Sequence, residues 1–81
     1  MKKVTIYSTP TCTYCRLAKE FFREHGVSYE EHNVASDLKR REEMLEKSGQ
    51  MGVPVIVVGD AGQEEVVVGF DQSHLSKLLG L

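Results

Sequence analysis

The sequence predicts an α/β domain: one mixed four-stranded sheet with helices on both faces, in the element order β-α-β-α-β-β-α. Three observations predict it. Short runs of β-branched residues alternate with segments of helical period, the pattern of a right-handed parallel crossover at the start of the chain. The last two strand runs are separated only by a short polar turn, so they must pair antiparallel. The 81 residues bury only about 60 to 65% of the surface that the unfolded chain exposes, which leaves room for one core. The reading is therefore a single domain over 1–81. Three helices do not fit on one side of so small a sheet, so both faces are expected to be covered.

The elements follow in order. Val4-Thr5-Ile6-Tyr7 is β-branched and aromatic, a strand, and Ser8-Thr9-Pro10 is a turn signal. Arg16 to His25 repeats apolar residues at four-residue spacing, Leu17 with Phe21 and Ala18 with Phe22, and Gly26 stops it. This is an amphipathic helix. Val27, Tyr29 and Glu31 then fall on one face of a strand, with Glu30 and His32 expected on a solvated face. Ala35-Ser36-Asp37 caps a second helix, in which Leu38, Arg41, Met44 and Leu45 fall at helical spacing and Ser48-Gly49 ends the run. The charges Lys39-Arg40-Arg41-Glu42-Glu43 read as a solvated face with Lys39 and Glu43 paired four residues apart. Val55–Val58 is a buried strand by composition and length, with Pro54 placed where its missing N–H does least harm. Asp60-Ala61-Gly62-Gln63 turns the chain back into Glu64-Glu65-Val66-Val67-Val68. Gly69-Phe70-Asp71 breaks that strand, and Asp71 or Ser73 caps a last helix holding Leu75, Leu78 and Leu79, closed by Gly80.

Composition narrows the function. The chain is 41% hydrophobic and 27% charged, with 10 basic against 12 acidic residues and a net charge of -2. Apolar content is too high for disorder, and the basic surface that phosphate neutralisation requires is missing, so nucleic acid is not expected as a partner. The longest apolar run, 53–58, is strand-sized, and the N-terminal apolar run meets Pro10 after a few residues, so neither a membrane span nor a secretory leader is read. A cytoplasmic, reducing location is the expectation.

Both cysteines lie within Cys12-Thr13-Tyr14-Cys15. As a staple, so short a loop restricts the unfolded chain by only about 2 kcal/mol, and a reducing compartment would open it. As a zinc site the pair lacks two ligands, because His25 and His32 are too widely spaced for the usual motif and there is no second cysteine pair. No metal is expected. A dithiol that opens and closes fits better, because the pair sits where a strand turns into a helix. There the unpaired N–H groups and the helix dipole favour an anion and lower a thiol pKa from its free value near 8.5. Cys12 is the expected nucleophile. Cys15, one turn deeper and on the same face, is the expected resolving thiol. Arg16 either adds positive potential to the pair or faces solvent, and Tyr14 either packs beside the pair or covers the helix start.

Thr9-Pro10-Thr11-Cys12-Thr13-Tyr14-Cys15, Gly52-Val53-Pro54 and Gly69-Phe70-Asp71, at these three places in the element order, resemble the glutaredoxin family within the thioredoxin-like fold. The chain is similar in particular to the small glutaredoxin-like proteins of bacteria and archaea, over essentially its whole length. The resemblance implies strand order 2-1-3-4. It also implies a cis bond at Val53-Pro54 facing the dithiol, although the base rate for an X-Pro bond is trans. The activity it implies is thiol-disulfide oxidoreduction on disulfide-containing protein substrates or glutathione mixed disulfides, by a monomer with no resident cofactor. Glutathione, as cosubstrate, or thioredoxin reductase would supply the electrons. Substrate and glutathione contacts are implied for Thr13, Tyr14, Val53, Pro54, Gly69, Phe70 and Asp71, with the Val53 backbone pairing with an extended substrate and Asp71 meeting its amino group. The chain departs from the family pattern in three places. Thr13 stands where many dithiol members have Pro, and Thr9 where glutathione users often have Lys. Val68-Gly69 replaces a Gly-Gly pair, and Gly69-Phe70 instead resembles the glutaredoxin-like electron donors of ribonucleotide reductase, although Asp71 stands where those donors usually have Arg. Two alternatives follow from the family: a donor to ribonucleotide reductase, and a carrier in which Cys12 of two chains and two glutathiones hold a [2Fe–2S] cluster.

Overall fold

The computed structural model describes residues 3–60 and 62–81. Its elements are β1 (Val4–Ser8), α1 (Thr13–Glu24), β2 (Glu30–Asn33), α2 (Leu38–Ser48), β3 (Val55–Val58), β4 (Glu65–Val68) and α3 (Gln72–Leu79). The strand order is β2-β1-β3-β4. β1 pairs parallel with β2 and antiparallel with β3, and β3 pairs antiparallel with β4. The expected turn at 60–63 includes Ala61, which lies outside the described residues, as do Met1 and Lys2 at the start of the chain. Within that turn the Gln63 N–H donates to the Asp60 carbonyl at 2.9 Å.

Side-chain alternation along the central strands divides the core in two. Val4, Ile6, Ile56, Val58 and Val67 pack with Ala18, Phe21 and Phe22 of α1 and Leu75 of α3 on one face. Tyr7, Val55 and Val57 pack with Met44 of α2 and with Val34 on the other. β3 feeds both clusters, so all four of its side chains are buried. A strand covered on both sides is why Val55–Val58 carries no polar alternation.

Several local expectations change once the faces are assigned. β2 is shorter than the sequence suggests, beginning at Glu30. Leu17 lies outside the buried stripe of α1, which is made by Cys15, Ala18, Phe21 and Phe22. In α2 only Met44 is buried, while Leu38 is 68% exposed and Leu45 43%. Met44 alone carries the contact of α2 with the cluster of Tyr7, Val34, Val55 and Val57. His32 does not point to open solvent: its ring lies 5.5 Å from that of Tyr7, because position 32 pairs with Tyr7 and shares its face. Lys39 makes no pair with Glu43, which is held instead by Arg40 at 2.9 Å and by the Tyr7 hydroxyl.

Among the described residues, two polar ties connect helices to the sheet. Buried Ser8 donates its hydroxyl to Glu31 at 2.8 Å, and Lys19 of α1 donates to the same oxygen at 2.8 Å. On the other face, the Tyr7 hydroxyl donates to Glu43 of α2. The hydrogen bonds from Lys19 and Ser8 hold the Glu31 carboxyl below the ordinary carboxylate range. The Tyr7 hydroxyl, followed by Arg40, does the same to Glu43. Burial, then the bond to Glu43, pushes the Tyr7 hydroxyl upward.

The sign of the pH dependence follows. A carboxyl that binds its proton less tightly when folded contributes stability above its unfolded pKa, here 4.5, and loses it as pH falls. A tyrosine that binds its proton more tightly when folded contributes below its unfolded value of 10.0 and loses that contribution in stronger base. Stability should therefore be flat around neutrality and fall in acid. Tyr7→Phe should cost about 1 kcal/mol at pH 7, with the deficit shrinking towards pH 3. Denaturant titrations at the two pH values check this, and a deficit of equal size at both would contradict it.

Candidate active site

Register gathers the three sequence motifs at one end of the sheet. Tyr7 pairs with Val55, and Val55 with Val68. The chain leaves β1 just beyond this row, enters β3 just before it and leaves β4 at it. The segments that project from this edge are therefore Thr9 to Cys15, Val53-Pro54 and Gly69 to Asp71. Motifs separated by tens of residues become neighbours because three adjacent strands end together.

The first segment turns tightly, with the Cys12 N–H donating to the Thr9 carbonyl at 3.3 Å. Cys12 is the N-cap of α1, and its sulfur accepts the Cys15 N–H at 3.1 Å. Helix starts leave N–H groups without backbone partners, and here one of them is satisfied by the sulfur itself. The same N–H and the positive end of the helix will stabilise a thiolate at this position once the pair is reduced. The two sulfurs are bonded as a disulfide, with Cα atoms 5.2 Å apart. Cys15 is 0% exposed, whereas Cys12 is half-buried. An incoming sulfur therefore meets Cys12. Thr13, Tyr14 and Arg16 are exposed on the first turns of α1, Tyr14 by 63%.

The second segment holds a cis Val53-Pro54 peptide, with Pro54 buried and Val53 half-buried. The Gly69 N–H donates to the Pro54 carbonyl at 2.8 Å and ties the third segment to it. Gly69 has φ +82°, a left-handed conformation that a side chain disfavours. A Cβ there would meet no heavy atom within 4 Å, so backbone conformation and not crowding selects glycine. Phe70 points inward, its ring 5.8 Å from that of Phe21 in an edge contact. It anchors the segment to the core. Asp71 is exposed and caps α3, accepting the His74 N–H at 3.1 Å.

Thr9 and Val53 both line a depression of about 200 Å³, together with Val34, Ala35, Met44, Met51 and Arg41. Among the described residues, Arg41 is the one charged residue in this lining. It is exposed, as expected for the charged run, but its spacing from Met44 brings it to the rim of this depression. A charge on the apolar period was the signal. A separate polar depression of about 250 Å³, lined by Lys3, Thr5, Tyr7, His32, Arg40, Lys47 and Glu64 among others, lies along the α2 face of the sheet. Its Arg40 and Lys47 are already paired, with Glu43 and Glu64. It has no part in the dithiol site.

Residues 4–62 match the family model described as Glutaredoxin. The chain is 41% identical over 76 residues to a glutaredoxin-like 8.6 kDa protein in the rubredoxin operon of Clostridium pasteurianum, covering 94% of this chain and 96% of that one. The glutaredoxin of Archaeoglobus fulgidus superposes with a TM-score of 0.82 at 30% identity, over 98% of this chain and 87% of that one. The glutaredoxin-like protein NrdH-redoxin from Escherichia coli, described by its thioredoxin-like activity profile, superposes with a TM-score of 0.78 at 26% identity, over 94% and 93%.

The cap at Asp71 separates two roles that one carboxylate can hold. Asp71→Ala should lower stability by about 1 kcal/mol through the lost cap, whereas Asp71→Asn should retain most of it. Denaturation of both variants measures this, and equal losses would show that the charge and not the cap matters to the fold.

Proposed function

The chain belongs to the glutaredoxin family, and from that premise we propose that it is a dithiol oxidoreductase that reduces disulfides through Cys12 and Cys15. The observation that carries this reading is the asymmetric pair at the start of α1, one sulfur reachable and capping the helix, the other fully buried behind it. The Cys12 thiolate attacks one sulfur of a substrate disulfide. That S–S bond breaks, a Cys12-substrate disulfide forms, and the other substrate sulfur leaves and takes a proton. Cys15 then gives up its proton and attacks the Cys12 sulfur, expelling the second substrate thiol. The substrate gains two electrons and two protons, and the dithiol becomes the Cys12–Cys15 disulfide. Electrons return by the same route in reverse, through Cys12, since Cys15 is shielded.

Val53 offers its backbone to an extended substrate at the sheet end, a form of strand addition, while Pro54, Gly69 and Phe70 form the wall beside it. Thr13 and Tyr14 border the other side, and the exposed Asp71 carboxylate suits a substrate amino group. Arg41 is the cation of the depression beside Val53. It favours a thiol donor bearing a carboxylate, which glutathione does, in the place where Thr9 supplies no charge. The likeness to NrdH-redoxin favours a second reading, in which thioredoxin reductase is the donor. The proposed setting is the reducing cytoplasm, where both cysteines return to thiols, with the protein acting as a monomer on protein disulfides and without a resident cofactor.

Cys12→Ser should abolish disulfide reduction, and retained activity would remove Cys12 from the mechanism. Cys15→Ser should accumulate a covalent substrate adduct on Cys12, seen as a mass increase that dithiothreitol reverses. The absence of any adduct would contradict the resolving role of Cys15. Following NADPH oxidation with glutathione plus glutathione reductase, and separately with thioredoxin reductase, identifies the donor. The geometry around Arg41 predicts the faster rate with glutathione, and a faster rate with thioredoxin reductase would favour the second reading.

A further inference from the structure

Leu38 and Leu45 sit seven residues apart on one side of α2, at a spacing that normally marks a buried stripe, yet both are exposed, by 68% and 43%. Met51 is 43% exposed beside them. The three line a shallow depression of about 200 Å³ with Arg41 and Glu42. Arg41 and Met51 also line the depression that contains Thr9 and Val53. The two hollows therefore share a wall, and a continuous track runs from the dithiol edge over Met51 and Arg41 to the two leucines. Among the described residues, no part of this chain covers the outer hollow.

We propose that the outer hollow seats an apolar side chain of a protein disulfide substrate whose cysteine is engaged by Cys12. This rests on the oxidoreductase reading above and names the substrate class that the same site prefers. The occupant follows from continuity and chemistry. A segment laid along Val53 and continuing across Arg41 arrives at Leu38 and Leu45, which offer it apolar surface. Glutathione has no apolar side chain to place there, so the outer hollow adds nothing to its binding. A polypeptide with leucine-sized residues near its cysteine gains by burying them. After the cost of ordering the segment, one such side chain corresponds to about a tenfold gain in kcat/KM. The selection is for protein over small-thiol disulfides, and among proteins for cysteines with apolar neighbours.

The test uses the reduced protein and mixed disulfides of 5-thio-2-nitrobenzoate, whose release is read by absorbance. Three partners are compared: 2-mercaptoethanol, a cysteine peptide flanked on both sides by leucines and serines, and the same peptide with serines only. Cys12 attacks the partner sulfur, the coloured thiolate leaves, and Cys15 then frees the partner as a thiol. The unmodified protein should react about tenfold faster with the leucine peptide than with the serine peptide. The double variant Leu38→Ser, Leu45→Ser changes only exposed side chains. It should lose that preference while keeping its rate with the 2-mercaptoethanol disulfide. Equal rates for the two peptides, or a preference that survives in the double variant, would overturn the proposal while leaving the dithiol chemistry intact. If the unmodified protein released no thiolate from the 2-mercaptoethanol disulfide, the oxidoreductase reading itself would fall.

Discussion

The hydrogen bond from the Cys15 N–H to the Cys12 sulfur ties fold and chemistry together. A helix must satisfy its first N–H groups, and most helices do so with an oxygen from Ser, Thr, Asp or Asn. Here the capping atom is a sulfur that can also take negative charge. The other two helices use the ordinary solution, with Asp37 capping α2 and Asp71 capping α3. Cys12 is thus the exception. The same backbone geometry that starts α1 places Cys15 on the buried face of the helix, among Ala18, Phe21 and Phe22. One sulfur faces outward and the other inward, and the proposed order of the exchange steps rests on that difference.

Everything else in the site depends on where the strands end. β1 is central, paired on both sides, and its Ser8 end delivers the dithiol turn. β3 runs the opposite way, so its beginning lies beside the end of β1, and β4 reverses again so that its end lies in the same row. The Gly69-to-Pro54 hydrogen bond then locks two of the three segments together. Phe70 on Phe21 couples them to α1. An antiparallel hairpin added beside a parallel pair is enough to bring the Cys12–Cys15 pair, the Pro54 wall and the Val53 groove to one edge. The helices on the two faces supply the rigidity that such a groove needs.

How much of this the sequence revealed depends on the range of the interaction involved. Local chemistry was legible: the apolar run of Val55–Val58, the Gly49 and Gly80 stops, a cap at Asp71 or Ser73, which the structure gives to Asp71, and the strand-to-helix position of Cys12 all follow from neighbours within a few residues. The face assignments of α2 were less so. Leu38 and Leu45 satisfy a helical period but are left outside, and only Met44 of α2 joins the cluster of Tyr7, Val55 and Val57. Glu43 pairs with Arg40 and with Tyr7, a residue of β1 more than thirty positions away, instead of Lys39. His32 looked solvated until its partner in the parallel ladder turned out to be Tyr7. Arg41, in turn, appeared to be one charge in a charged run, and only the placement of Val53 and Thr9 beside it sets it next to the groove. The cis peptide at Val53-Pro54 was implied by family resemblance and not by the residues themselves.

The proposed mechanism requires Cys12 and Cys15 to form one reversible two-electron centre and not a permanent crosslink. Equilibrating the protein in buffers of graded dithiothreitol or glutathione poise, trapping thiols by rapid alkylation and weighing the products tests it directly. A reversible centre gives a single transition between a form with both cysteines alkylated and a form with neither, following a two-electron Nernst curve with a midpoint above about -300 mV. A pair that stays oxidised well below that potential, or one that titrates as two independent thiols without forming a bond, would contradict it.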